Sequence, residues 1–162
     1  MTQDINSVIV TASSHGLGLS IAKRFSDRYR IILHGRKSDL INEAKRKVDN
    51  VIASVQGDLR DDETQKRLYD MSIEHNTSIL INNAAIPCYG IPLEEMSYDQ
   101  IMESLSTNLV SPIILSRKLY NILKINAPGG IININSIVGI EPKKNRSVHS
   151  ATKWGLRGFS KS

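Results

Sequence analysis

The sequence predicts an α/β fold, a doubly wound parallel sheet with helices on both faces. Three observations carry this. Short β-branched, apolar runs alternate regularly with amphipathic or charged runs along the whole chain. The apolar runs are continuous rather than alternating, as in strands covered on both sides. A turn rich in small residues and glycine, Thr11–Gly18, joins the first strand to the first helix.

The elements follow in order. Ser7–Thr11 is the first strand, and Leu17–Tyr29 is a helix with Leu17, Ile21 and Phe25 four residues apart on one face. Arg30–Leu33 is the second strand, and Ser38 is expected to cap a charged helix running to about Asp49. Val51–Val55 is the third strand. Asp61–His75 is a polar helix with Asp62 and Glu63 in its first turn, where the helix dipole favours acids. Ser78–Ile81 is the fourth strand. After a loop with Pro87, Gly90 and Pro92, Ser97 opens one long helical stretch to about Ile125, which Pro112 should bend. Asn126–Gly130 breaks the chain, Ile131–Ile134 is the fifth strand, 137–148 is loop, and a last helix starts near 147–149. Right-handed crossovers turn this order into a Rossmann-type sheet of about five strands.

Composition narrows the class. The 162 residues are 40% hydrophobic and 23% charged, a globular balance, with one cysteine, Cys88, and so no internal disulfide. No apolar run reaches the ~18 residues of a membrane span. Met1–Asp4 lacks the basic, apolar start of a signal peptide. A cytoplasmic protein is expected. The net charge of +5 is uneven: residues 1–116 hold 12 Lys/Arg against 15 Asp/Glu, and residues 117–162 hold nine Lys/Arg against Glu141 alone. Those cations are spread over several elements without interleaved aromatics, so they read as a solvated face rather than a nucleic-acid surface.

The turn Thr11-Ala12-Ser13-Ser14-His15-Gly16-Leu17-Gly18 places backbone N–H groups and a helix N-terminus where a pyrophosphate can be held. It resembles the TGxxxGxG turn of the short-chain dehydrogenases/reductases, with Ala12 for the first glycine. Asn82-Asn83-Ala84-Ala85 resembles that family's NNAG, with Ala85 for glycine, and Asp58-Leu59 resembles its adenine-contacting segment. Asn108, Ser136 and Lys153 resemble three of its four catalytic residues, with spacings of 28 and 17 that fit. The match runs from Ser7 to Ser162 in one register. It implies an oxidoreductase that passes a hydride between a nicotinamide cofactor and a small carbonyl or alcohol substrate. Cofactor choice is expected at the end of the second strand, where an acid would bind the NAD ribose. The chain has His34-Gly35-Arg36-Lys37 there and no acid before Asp39, so Arg36 favours NADP over NAD. His15 is expected on the same side.

The resemblance also assigns roles. A Tyr gives or takes the proton at the substrate oxygen, a Lys four residues on lowers its pKa and holds the nicotinamide ribose, a Ser bonds the carbonyl, and an Asn carries a water link to the Lys. The Tyr position here is His149, 13 residues after Ser136 and four before Lys153. An imidazole is shorter than a phenol, and ~1 Å of misplacement can cost ~100-fold in rate. His149 therefore reads as a structural residue of a retired site, as a working acid for a shifted substrate, or as a metal ligand. No Cys or second His stands at ligand spacing beside it, so no metal is expected. Tyr89 is expected as a wall of the substrate site, with a substitute phenol as the alternative.

The sequence ends inside the last predicted helix with no C-cap signal. Relatives of this family carry two more strands, a Pro-Gly turn and a lid beyond this point. The single dinucleotide-binding domain, 1–162, is therefore expected to be incomplete at its C-terminus, with slow or absent carbonyl reduction that His149→Tyr alone does not restore. The resemblance further implies a homodimer through the helices at 97–125 and 149–162. Two functions stay open: an NADP-linked oxidoreductase, and an impaired or inactive relative that binds a nucleotide or a partner.

Overall fold

The computed structural model describes residues 6–88 and 90–162. The chain divides into two compact units, one formed by residues up to 84 with 115–132 and the other by 85–114 with 133–162.

The first unit carries the sheet. Its strands β1 (Ser7–Val10), β2 (Arg30–Gly35), β3 (Val51–Gln56) and β4 (Thr77–Asn82) are followed by β5 (Gly130–Asn133), which begins in this unit, and the order across the sheet is β3-β2-β1-β4-β5. The β1–β2, β2–β3 and β1–β4 pairs are all parallel. Helices α1 (Gly16–Phe25), α2 (Ser38–Lys45) and α3 (Asp62–Glu74) make the connections. The order runs outward from β1 through β2 to β3 and then restarts on the other side at β4. The crevice at the carboxyl ends of β1 and β4 is thus the topological switch point, where open α/β sheets bind ligands. Leu115, Leu119 and Leu123, one turn apart on α5 (Ser111–Ile125), complete a core with Ile9, Ile32, Val55, Leu59, Leu68 and Leu80.

In the second unit, α4 (Tyr98–Leu105) leads into a π-helical turn, Ser106–Val110, and the first residues of α5. Two short 3-10 turns, Leu93–Glu95 and Ile137–Gly139, and α6 (Ser147–Lys161) complete it.

The doubly wound architecture and all five strands match the sequence expectation; several boundaries differ. The first helix ends at Phe25, because Ser26 turns the chain, its Oγ bonding back to the Lys23 carbonyl at 2.7 Å. Ser38 does not cap α2. Lys37 holds the N-cap position without a side-chain bond, and the helix stops at Lys45, ahead of a turn that reaches Asn50 at φ +55°. Ser97 does cap its helix, in a reciprocal capping box with Gln100. The single bent helix expected from Ser97 to Ile125 is instead two α-helices joined by the π turn. Ser111 satisfies the Ser106 carbonyl with its backbone N–H and, at 2.8 Å, with its Oγ. Pro112 follows at the second position of α5, where a missing N–H costs little.

Candidate functional site

In the first unit the turn 11–18 leaves β1 and enters α1 at the switch point. Its residues divide by direction. Thr11, Ser13, Ser14 and Gly18 are buried, whereas His15, Gly16 and Leu17 are exposed. The Thr11 hydroxyl accepts the backbone N–H groups of Asn83 (2.9 Å) and Ala84 (3.0 Å), which pins the end of β4 to the turn. Asn83 returns the tie, its Nδ2 donating to the carbonyls of Thr11 (3.0 Å) and Ala12 (3.2 Å). Gly18 is required by this packing: a Cβ there would run into the Ala12 carbonyl and the Asn83 amide. Gly16, at φ +57°, faces open space. Ala85 is exposed.

The N-terminus of α1 is electrostatically open. Its N-cap residue, His15, makes no side-chain cap bond, the Ser14 hydroxyl pairing with His15 Nδ1 at 3.1 Å. The first turn holds no acid, in contrast to α3 with Asp62 and Glu63. A helix N-terminus without a side-chain cap, a positive dipole end and open space at Gly16 are the chemistry an oxyanion of a phosphate matches, so these residues fit a dinucleotide pyrophosphate.

Arg36 is exposed immediately past β2, with its carbonyl held by Gln56 Nε2 at 3.3 Å. Asp58 is committed to Arg60: Oδ1 accepts the Arg60 backbone N–H (2.9 Å) and Nε (3.0 Å), and Oδ2 accepts NH2 (2.8 Å). The Arg60 guanidinium holds the Asp58 carboxyl below its ordinary value. The Leu59 side chain belongs to the core, and its carbonyl accepts Gln65 Nε2 at 2.7 Å.

The second unit brings the other set together. Asn108 sits in the π turn, 1% exposed. Its side-chain amide is spent: Oδ1 accepts the Ile86 N–H (2.8 Å), and Nδ2 donates to the Ile86 carbonyl (3.0 Å) and to Ser104 Oγ (3.3 Å). Four residues on stands Pro112, with no N–H to offer the Asn108 carbonyl. Ser136 caps the 3-10 turn Ile137–Gly139, and its N–H donates to Asn135 Oδ1 at 2.8 Å. His149 and Lys153 are both buried on α6, one turn apart. The Lys153 ammonium donates to the Ile134 carbonyl at 2.9 Å, and burial lowers its pKa. Burial first, then the charges of Lys153 and Arg146, lower the His149 pKa below its ordinary 6.5. The helix lies close on the π turn, for a Cβ on Gly155 would come 2.9 Å from a Leu109 methyl.

Two features were not legible from spacing. Asn135 ties the Ser136 backbone to the Lys153 carbonyl, which its Nδ2 reaches at 3.2 Å. His34, 2% exposed, is bonded through both ring nitrogens. A histidine near the end of an otherwise apolar strand was the available signal. Tyr89 and Met1–Asp4 lie outside the described residues. Among the described residues no group of three or more His, Cys, Asp or Glu could hold a metal ion, and no helix is long and apolar enough to cross a membrane.

A family model described as short chain dehydrogenase matches residues 6–162. The chain is 29% identical over 161 residues to the uncharacterized oxidoreductase DltE of Bacillus subtilis (strain 168), covering 96% of this chain and 63% of that protein. It is 30% identical over 164 residues to 3-oxoacyl-(acyl-carrier-protein) reductase FabG of Chlamydia trachomatis, covering 94% and 64%. A metagenomic short-chain oxidoreductase crystallised in complex with NADP superposes with a TM-score of 0.86 at 26% identity, over 95% of this chain and 71% of that one. The chain thus spans less than two thirds of the length of the two sequence relatives.

Proposed function

The chain belongs to the short-chain dehydrogenase family, and from that premise we propose that it is an oxidoreductase that moves a hydride between NADP(H) and a carbonyl or alcohol substrate. The observation that carries the cofactor choice is Arg36. It stands exposed at the end of β2, with its backbone fixed by Gln56 and no acid before Asp39 to repel a 2′-phosphate. The structural relative crystallised with NADP supports the same choice. Calorimetric titration with NADPH and NADH, on the wild type and on Arg36→Ala, tests it. NADPH is expected to bind more tightly, and Arg36→Ala to remove the preference. Equal affinities in the wild type would overturn the assignment.

The residues divide the work. Backbone N–H groups at His15, Gly16 and Leu17 would hold the pyrophosphate, and Arg36 the 2′-phosphate. Thr11, Ser13, Ser14, Gly18, Asn83 and Ala84 keep that turn in shape. Asp58 and Leu59 line the adenine side, with Arg60 holding the Asp58 carboxylate in place. The nicotinamide, when bound, supplies or accepts the hydride. His149 exchanges the proton at the substrate oxygen, and Ser136 donates a hydrogen bond to the same oxygen. Lys153 biases His149 toward its neutral form through its charge. Since the Asn108 amide is spent on Ile86 and Ser104, the water link toward Lys153 falls to the Asn108 carbonyl.

Self-association through the second unit belongs to the same reading. Tyr98 and Met102 of α4 and Trp154 of α6 are exposed, an apolar display that a second copy would cover. A monomer by light scattering at high protein concentration would count against it.

A further inference from the structure

We propose that His34 is a positioning residue for cofactor binding, its ring holding the left-handed kink at Ala12 from which the dinucleotide turn is built. The inference rests on the reading of residues 11–18 as the cofactor turn. Ala12 stands at φ +50°. Glycine adopts that conformation freely, whereas alanine strains its Cβ there. Something must hold it. The Ala12 N–H donates to His34 Nδ1 at 3.1 Å. The opposite nitrogen, Nε2, lies 3.1 Å from the Gly57 carbonyl. The two contacts fix the protonation state. Nδ1 faces a donor and must accept, so the proton sits on Nε2 and goes to Gly57.

The backbone reinforces the same joint. The Ser13 N–H donates to the His34 carbonyl at 2.8 Å, and the His34 N–H donates to Ser13 Oγ at 3.0 Å. His34 therefore joins the kink after β1 to Gly57, the residue before Asp58. Only the ring bonds depend on the side chain, which makes them separable by mutation. Burial keeps the ring neutral, with a pKa of about 4, against Asp58 and the Gly57 carbonyl, which favour the proton, and with Arg67 and Arg36, which oppose it.

The test combines His34 variants with relief of the strain itself. His34→Leu keeps the bulk and loses both ring bonds. His34→Asn places an acceptor, Oδ1, where Nδ1 stands. Each is made with alanine and with glycine at position 12. Two quantities are read: NADPH affinity by calorimetry, and amide hydrogen exchange at Ala12 and Ser13 in the cofactor-free protein. His34→Leu is expected to weaken NADPH about tenfold, the size of one neutral hydrogen bond, and to speed exchange at Ala12. His34→Asn is expected to retain most of both. In the Ala12→Gly background the penalty of His34→Leu should shrink markedly, because glycine holds the kink unaided. An equal penalty in both backgrounds would overturn the inference, as would equal losses from Leu and Asn. If His34→Leu does not fold, His34→Gln replaces it, carrying a donor toward Gly57 but leaving Ala12 without an acceptor. If the wild type binds neither NADPH nor NADH, the functional reading fails, and exchange at Ala12 alone decides the role of His34.

Discussion

Two histidines, His34 and His149, are buried in this chain, and their surroundings differ. His34, in the first unit, has a donor on one ring nitrogen and an acceptor on the other, and burial is the main cause of its depressed pKa. His149, in the second unit, is buried on α6 between Arg146 and Lys153, so charge adds to burial in keeping the proton off. A histidine locked through both nitrogens is a strut. One whose protonation answers to neighbouring cations can exchange a proton with something brought to it. Burial alone does not tell the two apart.

The largest expected effect falls on His149. His149→Phe keeps an aromatic ring and removes the exchangeable proton. If His149 is the acid–base group, turnover of a ketone with NADPH should fall by about 10²–10⁴-fold. The wild-type pH profile sharpens this. In the reduction direction the charged imidazole is the better donor, and its pKa lies below 6.5, so kcat should rise as pH is lowered below that value. Alcohol oxidation, which uses the neutral form, should be favoured at neutral pH and fade toward acid. Unchanged turnover in His149→Phe would make His149 a second strut and erase the contrast.

His34 should instead reveal itself in stability. The unfolded ring takes its proton near pH 6.5 and the folded ring at about 4. Between these values the unfolded state holds more protons. The His34 contribution is therefore complete above about pH 6.5 and is lost as pH falls toward 4, by up to about 3 kcal/mol. Urea melts at pH 7 and pH 4.5 on the wild type and His34→Asn separate this slope from that of the carboxylates. The variant, less stable at pH 7, should lose less on acidification. Parallel losses would mean that another group carries the acid sensitivity.

Much of the architecture was legible because it depends on composition over several residues. The five strands announce themselves as apolar runs, and the switch point follows from their order and handedness. Boundaries were less legible where one local bond decides them, as with Ser26 bonding back to Lys23, or the π turn that prepares for Pro112. The turn 11–18 and the register from Asn108 through Ser136 to Lys153 were visible as spacing, and the structure gathers Asn108, Ser136, His149 and Lys153 in one unit. Their internal bonds were not visible. Nothing in the order of residues says that the Asn108 amide is spent on Ile86, that Arg60 occupies Asp58, or that the ring of His34 supports Ala12. Those pairings bring together residues 2 to 22 positions apart, and only the folded chain sets them.

The smallest effect is also the most direct check of the contrast between the two rings. Burial is the first cause of the His149 shift and charge comes directly after it, with Lys153 ahead of Arg146. For His34, burial and the bond to Gly57 come before any charge, and Arg36 comes last. Removing the respective cations should therefore move the two titrations unequally. In proton NMR titrations, Lys153→Met should raise the His149 midpoint toward its ordinary value. Arg146→Ala should raise it by a smaller step, since its charge counts for less. Arg36→Ala should leave the His34 midpoint nearly where it was, far on the acid side, because the ring stays buried and bonded on both nitrogens. A His149 midpoint insensitive to Lys153 would mean that burial outweighs charge there, as it does in His34. Charged neighbours would then not distinguish a reactive histidine from a structural one in this chain.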